Sequence, residues 1–422
     1  MNDERCDVVV IGAGLTGLAA ALFAVRRGLD TVLVGRTGAL GFASGLLDLL
    51  GVHPVGGHTP LEDPWQGITA LRADQPQHPY ALIDNPAIER ALGTVLAFLA
   101  ANGHPYITRP HRNQTVPTAV GTLKTTYALP CTMAPGAMAL ARRVPCLLVD
   151  FHGLKGYSAR QIAATLAGVW PGLTPVRIAF PEAHGELLPE RLARALDTVP
   201  AREKLVAAIG PHLGEAAAVG LPAVLGFYHS PAVVAELQQG LGVPVFEIPT
   251  MLPAVGGLRL RELFETALPA MGVRSLWQQW VDGARRLPDG RWRFSVAAPS
   301  GEQHFTARGA VLCSGRFFGK GLHADRHGIR EPLFQLPVVQ PPHRADWHHK
   351  DLLAPEGHPI NRAGVAVDET FRPVDGRGRL VHDNLFAAGT LLAHQDWVRQ
   401  KCGSGLAIAT AYAAVRACAA LI

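Results

Sequence analysis

Val8-Val9-Val10-Ile11-Gly12-Ala13-Gly14-Leu15-Thr16-Gly17 sets four apolar, mostly β-branched residues before three glycines at G-x-G-x-x-G spacing. The apolar run suits a buried strand, and the glycines suit a turn that holds a dinucleotide phosphate. Gly12 turns the chain, Gly14 lets backbone approach a phosphate with no Cβ between, and Gly17 lets the next helix pack close on the strand. That helix, residues 15–27, aims free N–H groups and a positive dipole end at the phosphate. Each dipole contact contributes only about 0.3–1 kcal/mol, so several amides must converge. After Arg26-Arg27-Gly28, the residues Thr31-Val32-Leu33-Val34 form a second strand and complete a βαβ unit, the context the motif requires.

One expected residue is missing. Roughly 20 residues beyond the glycines, a Rossmann site for NAD or FAD carries Asp or Glu toward the adenosine ribose. Here the second strand ends Val34-Gly35-Arg36-Thr37. Three ligands are compatible: one with a 2′-phosphate met by Arg36, one whose adenosine is held elsewhere, and one without adenosine, such as FMN.

Composition narrows the class. A chain of 422 residues is long enough for two or three packed units. Hydrophobic content of 48% against 17% charged describes a compact globular protein. The formal charge of +5 is a small excess spread along the chain, with no basic run interleaved with aromatics, so nucleic acid is not an expected partner. Six cysteines, at positions 6, 131, 146, 313, 402 and 418, include no C-x-x-C, a pattern of buried thiols in a reducing compartment. They also lack the clustering an iron–sulfur centre needs, so such a centre would sit on another chain. The acidic start Asn2-Asp3-Glu4 does not read as a signal peptide. Residues 8–25 are long and apolar enough to imitate a membrane span, but the strand–turn–helix reading explains their glycines, so a soluble chain is expected.

Further along, Gly38-Ala39-Leu40-Gly41-Phe42-Ala43-Ser44-Gly45 is a small-residue loop. In flavoproteins of the glutathione-reductase type a loop here covers the flavin, which makes Ser44 and Gly45 candidate cofactor contacts; a helix N-cap is the simpler alternative. A helix is expected from residue 85 or 86 to 101, opened by Pro86 and closed by Asn102-Gly103. Residues 121–127 read as a strand. Strands expected at 144–150, 176–180, 223–227 and 243–248, with a helix at 158–167, argue for a second small parallel sheet inserted into the first domain. A helix follows at 258–268, then a hairpin turning at Pro288-Asp289-Gly290 and an apolar strand ending Cys313-Ser314-Gly315. Gly315 would let that strand end approach the cofactor. The chain closes on the strand Asn384-Leu385-Phe386-Ala387-Ala388-Gly389-Thr390 and a glycine-opened apolar helix beginning Gly403-Ser404-Gly405, a second positive helix end for a ligand. Thr390 stands where many flavoproteins carry an acidic residue.

The expected architecture is therefore α/β, a Rossmann-type, glutathione-reductase-like flavoprotein fold with an inserted cap. Residues 1–50 and 305–422 form the flavin domain, and 51–304 form a cap or substrate domain holding the second α/β segment at about 144–255. The cofactor-binding candidates are Gly12, Gly14, Gly17, Arg36, Ser44, Gly45, Gly315, Gly389, Thr390, Gly403 and Gly405.

Several particular strings, in order along nearly the whole chain, give this sequence a more specific likeness. They are Ala43-Ser44-Gly45-Leu46-Leu47-Asp48-Leu49-Leu50, His78-Pro79-Tyr80, Ser314-Gly315-Arg316-Phe317-Phe318-Gly319-Lys320-Gly321-Leu322, Gly328-Ile329-Arg330-Glu331-Pro332, Asp368-Glu369-Thr370-Phe371-Arg372-Pro373 and Gln400-Lys401-Cys402-Gly403. With them the sequence resembles the B-subunit family of anaerobic glycerol-3-phosphate dehydrogenase. The resemblance implies one subunit of a three-part complex that oxidises sn-glycerol 3-phosphate to dihydroxyacetone phosphate and passes electrons to the membrane quinone pool. It implies an FAD-bearing dehydrogenase subunit and an iron–sulfur, membrane-associated subunit as partners. For this chain it implies FMN, with FAD the alternative, and a cytoplasmic place at the inner face of the membrane through those partners. Around Ala393-His394-Gln395 the family tends to have glycine, and this sequence has none.

Oxidation of a secondary alcohol needs a flavin near the carbon, a base, and cations for the phosphate. Arg259, Arg330 and Arg372 are the candidates for that last role, since a planar guanidinium suits bidentate phosphate contact. The simpler account of each is a structural ion pair. His323 and His327 have helical metal spacing but no H-E-x-x-H, and Gly328 argues for a helix end, so no metal is expected. Two other functional readings remain open: a stand-alone FAD- or NADPH-dependent oxidoreductase, and a non-catalytic flavin-fold assembly subunit.

Overall fold

The computed structural model describes residues 3–57, 59–181, 183, 185–298 and 301–422. In chain order, the elements that place the site begin with β1 (Asp3–Ile11), α1 (Leu15–Val25) and β2 (Thr31–Gly35). Next come β3 (Cys146–Phe151), β4 (Leu173–Ile178), β5 (Ala218–Pro222), β6 (Val245–Ile248) and α2 (Val255–Ala270). The last are β7 (Arg274–Trp277), β8 (Val281–Arg286), β9 (Trp292–Ala298), β10 (Gly301–Leu312), β11 (Leu385–Ala387) and α3 (Gly403–Leu421).

The chain divides into two compact units: Met1–Ala39 with Asp48–Val95 and Phe264–Ile422, and Leu40–Leu47 with Leu96–Leu263. These boundaries differ from the expected ones because residues 274–298 extend the first unit's own sheet. Its seven strands run β7-β2-β1-β10-β9-β8, with β11 also on β10. β1 is parallel to both β2 and β10, and its register sets Ile11 beside Val34 on one side and Leu312 on the other. Three strands thus finish level, which brings their C-terminal turns together. β9 and β8 form the expected hairpin, closed by Leu287 N donating to Arg291 O at 2.8 Å, with Gly290 at φ +83°. Residues 51–52 join this unit through their amides, which donate to Gln400 O at 3.0 Å.

α3 is long and apolar enough to cross a membrane by length and composition, but 61% of its apolar window is buried, and it packs against α1 in the first unit's core. That is the composition of a helix hydrophobic on all sides, which a core demands as much as a bilayer does.

The second unit is built on a parallel sheet of order β6-β5-β3-β4. All residues of β3, β5 and β6 are buried, as expected where helices cover both faces. Trp170, Phe151, Phe227 and Phe246 fill its core. The strand expected at 223–227 lies instead at 218–222. Residues 223–227 turn tightly, Val224 N donating to Pro222 O and Gly226 N to Val224 O, so their apolar side chains are buried without a ladder. The helix Ala159–Leu166 is capped by Ser158, whose hydroxyl accepts from Gln161 N at 3.3 Å.

Candidate functional site

The site forms where β1, β2, β10 and β11 end. Gly12 has φ +110°, and a Cβ there would stand 2.4 Å from Cys313 O. Gly17 is as constrained: a Cβ would fall 1.6 Å from Gly12 O, so α1 can pack on the turn only with glycine at that place. Gly14 differs, since a Cβ built on it meets nothing within 4 Å. No packing requires that glycine. Its bare backbone opens α1 with no side-chain cap, which suits the close approach of a phosphate.

Gly315 and Thr390 meet on the other side: Gly315 has φ +69°, and its Cβ position is 3.7 Å from Thr390 Oγ1. Gly389, at φ +80°, packs on Thr16 of α1, and its amide donates to Thr410 Oγ1 of α3 at 2.8 Å. Gly12, Gly14, Gly17, Gly315, Gly389 and Thr390 therefore line one end of the sheet. The hydroxyl of Ser314, 2.5 Å from the Cβ position of Gly321, is buried with no hydrogen-bond partner among the described residues, while the Ser314 Cα lies against Gly12. A buried hydroxyl left unmatched costs about 1–3 kcal/mol, which a ligand's polar edge would recover. These features fit a phosphate-bearing group.

At the end of β2 the absent carboxylate has a steric cause. A Cβ on Gly35 would stand 2.3 Å from Ala13 N and 2.8 Å from Gly12 C, so backbone fills the place from which a side chain would reach a ribose. Arg36 is exposed beside it, its guanidinium carbon 4.8 Å from the centre of the Trp280 ring. Lys320 Nζ lies 5.2 Å from the same ring. Thr37 is fully buried and donates to Glu265 Oε1 at 2.5 Å, so a carboxylate from α2 is engaged with the residue that follows Arg36.

The remaining candidates lie elsewhere or are otherwise engaged. Gly405 N donates to Asp48 O at 2.6 Å, and a Cβ on Gly405 would meet Tyr80 Oη at 2.6 Å. Ser404 Oγ accepts from Asp48 N, and the Gly403 Cβ position faces Trp397. The start of α3 is thus partly closed by protein. Ser44 and Gly45 belong to the second unit, where Gly45 lies against Gly256 of α2 and Ser44 Oγ accepts from Leu46 N at 3.4 Å, a local turn bond. Arg259 is buried in the second unit, donating to both Glu247 oxygens at 2.8 Å and to Gly226 O. Arg372 is paired with Asp368 at 2.8 Å, and Arg330 is exposed on the strand Ile329–Arg330. The structure does not gather the three arginines, and the ion-pair account describes Arg259 and Arg372. His323 and His327 flank a turn rather than share a helix face. Burial pushes the Cys402 thiol far above its ordinary range, the condition of an inert core cysteine.

Sequence reasoning missed Ser314, Trp280, Lys320, Thr16 and Thr410 as parts of this site. Only the Ser-Gly strand end carried a local signal; Trp280 and Thr16 meet Arg36 and Gly389 from hundreds of residues away, and Lys320 and Thr410 arrive through folded contacts that no local spacing marks. His394 is informative in another way. It takes φ +66°, the left-handed conformation that favours glycine, where the resemblance implied one.

Comparison with known proteins agrees with this arrangement. A family model described as FAD binding domain matches residues 7–406. A Halobacterium salinarum protein, named as a probable B subunit of anaerobic glycerol-3-phosphate dehydrogenase, is 34% identical, covering 99% of this chain and 98% of its own length. Its Vibrio cholerae counterpart, named as the B subunit of the same dehydrogenase, is 31% identical over 97% of this chain and 95% of its own. Among solved structures, 3-ketosteroid delta1-dehydrogenase from Sterolibacterium denitrificans aligns over 99% of this chain and 100% of its own at 11% identity, with a TM-score of 0.44. The family model names FAD, the alternative in the sequence reading, and lends no support to FMN. The chain belongs to the B-subunit family of anaerobic glycerol-3-phosphate dehydrogenase, oxidoreductase flavoproteins built on an FAD binding domain.

Proposed function

We propose that this chain is the flavin-binding subunit of an anaerobic sn-glycerol-3-phosphate dehydrogenase complex, in which glycerol 3-phosphate becomes dihydroxyacetone phosphate and electrons pass to a quinone pool. The observation that carries the flavin reading is the convergence of Gly14, Ser314, Gly315 and Thr390 at the level ends of parallel strands. The amides opening α1 would hold the phosphate, and Ser314 Oγ would donate to or accept from the ligand's polar edge. Flavin supplies the two-electron acceptor chemistry that an alcohol oxidation requires. The family model supports FAD; the backbone-filled position at Gly35 supports a flavin without adenosine, and FMN is the reading we adopt. The partners in this reading are an FAD-bearing dehydrogenase subunit and an iron–sulfur subunit at the inner face of the cell membrane, with this chain cytoplasmic and membrane-associated through them.

The test is the absorption spectrum of the isolated chain, followed by acid release and chromatography of the flavin. Released FMN supports the reading. Released FAD moves the adenosine to a place other than the β2 end, and a chain that stays colourless after reconstitution removes the redox role.

A further inference from the structure

Asp325-Arg326-His327-Gly328 has the composition of a turn, and Pro341-Pro342 stiffens the chain further on. The turn joins two short antiparallel strands, His323–Ala324 and Ile329–Arg330, and Asp325 N closes it by donating to Gly328 O at 3.0 Å. Gln340 fixes the second segment against the first: its side-chain oxygen accepts from Ile329 N at 2.7 Å, and its amide nitrogen donates to Ile329 O at 2.9 Å. Arg344 adds a third bond, from Nη1 to Asp325 O at 3.2 Å. The two segments enclose a cleft of about 310 Å³ in the first unit, lined among others by Arg326, His327, Gln340, His343, Arg344 and Trp347. None of these residues belongs to the strand ends described above.

The side-chain charge lining this cleft is of one sign. Arg326 donates through Nε to His327 Nε2 at 3.0 Å, Arg344 spends one nitrogen on Asp325 O, and neither guanidinium pairs with a carboxylate among the described residues. The turn's own carboxylate is engaged by backbone. Asp325 Oδ1 accepts from His327 N at 2.7 Å and from Gly328 N at 3.2 Å, and these bonds hold its carboxyl below the ordinary range. Trp347 is buried, and the Arg344 guanidinium carbon lies 5.4 Å from the centre of its ring, which seats that cation. Like charges held around one space repel, and an anion in that space relieves them.

We infer that this cleft is a binding site for a phosphate monoester. A monoester carries nearly two charges at neutral pH and three terminal oxygens, as a phosphorylated side chain does, so two guanidinium forks can engage it together. A carboxylate has two oxygens and one charge to divide between them. His327, whose Nε2 accepts from Arg326, keeps its proton on Nδ1 as a further donor. The volume is at the small end of the range for ligand sites, which suits a small ester rather than a dinucleotide. Two sources carry the group: a soluble metabolite, and a lipid headgroup such as that of phosphatidic acid. Leu352 and Leu353, 80% and 79% exposed a few residues beyond Trp347, are the reason to test the second. The inference holds with or without flavin at the strand ends.

The experiment treats full-length chain with phenylglyoxal, which reacts with arginine, and reads each site by peptide mass. Inorganic phosphate or glycerol 3-phosphate is added at constant ionic strength, balanced with sodium chloride. Labelling of Arg326 and Arg344 should slow about tenfold when the anion stands at ten times its Kd, while exposed Arg377 keeps its rate. In R326Q the concentration that protects Arg344 should rise about tenfold, as should the concentration that protects Arg326 in R344Q; both variants should melt with wild type in phosphate-free buffer. Because the readout is local, phosphate bound at the glycine turn does not enter it. Phosphatidylcholine vesicles containing phosphatidic acid supply the lipid arm. Protection by free phosphate or ester but not by vesicles assigns the cleft to a metabolite, the reverse assigns it to a headgroup, and protection by both supports the shared chemistry. The site is overturned if sodium chloride alone protects the two arginines as well, if Arg377 is protected equally, if the protecting concentration is unchanged in the variants, or if neither source protects either arginine.

Discussion

At Gly35 a side chain is excluded by space, and that turns a missing carboxylate into a testable statement. Gly35→Ala drives a methyl into the Ala13 amide, so the phosphate turn must shift. The expected result is about 1–3 kcal/mol of lost stability, read as a lower denaturation midpoint, with flavin retention falling more steeply than stability because the displaced atoms belong to the binding turn. A variant that keeps both would mean the turn tolerates the shift. His78 carries a second prediction at this scale. It is fully buried beside Gln400, and burial holds its pKa down to about 4. A depressed folded value means that the unfolded chain takes up a proton first. The associated stability is whole above about pH 6.5 and is lost as pH falls toward 4. Between pH 7 and 5 this contributes about 2 kcal/mol of destabilisation, and His78→Gln should flatten urea midpoints over that interval. His104, likewise lowered to about 4 by burial, leaves part of the slope in place. The glycines of the turn were legible in the sequence because each answers a local backbone need at fixed spacing. Ser314 and Trp280 were not, because what makes them notable is what stands next to them in the folded chain.

Elements were legible where period and punctuation agreed. The βαβ start, the helix Asn85–Ala101 and the hairpin at Gly290 follow from Gly, Pro and apolar spacing, and all three are present. The segment 223–227 misled because a buried apolar run has no period to distinguish strand from tight turn, and the domain boundaries misled because β7 pairs with β2 far away in sequence while β8 and β9 extend the same sheet outward from β10. Arg259 shows the same limit in a side chain. Its surroundings suggested a phosphate ligand, but the structure spends it on joining α2 to β6: Glu247 accepts from Arg259, Thr132 Oγ1 and Leu225 N. Glu247→Gln would leave a buried guanidinium uncompensated, and a loss of about 3–5 kcal/mol is expected in chemical denaturation. Adding Arg259→Met should recover part of it, since an apolar replacement removes the stranded charge. No recovery in the double variant would show that the backbone bonds of Arg259, rather than its charge pair, hold the two elements.

For the whole molecule, each unit has its own sheet, and the sequence reading anticipated both sheets while misplacing the seams. The glycine turn, Ser314, Gly315, Thr390 and the Arg36–Trp280–Lys320 cluster all belong to the first unit. A ligand that binds a folded unit stabilises it by mass action, about 2.7 kcal/mol at a hundredfold excess over Kd. Flavin should therefore slow amide exchange in β1, β2 and the C-terminal end of β10 by the factor that energy implies, roughly a hundredfold where exchange proceeds through unfolding of that unit. The parallel strands β3 to β6 rest on a separate apolar core and should exchange at nearly unchanged rates. The two sets of strands make the measurement internally controlled, because both are deeply buried. Equal slowing in both would mean that the units unfold together, and slowing confined to β3 to β6 would place the flavin away from the glycine turn.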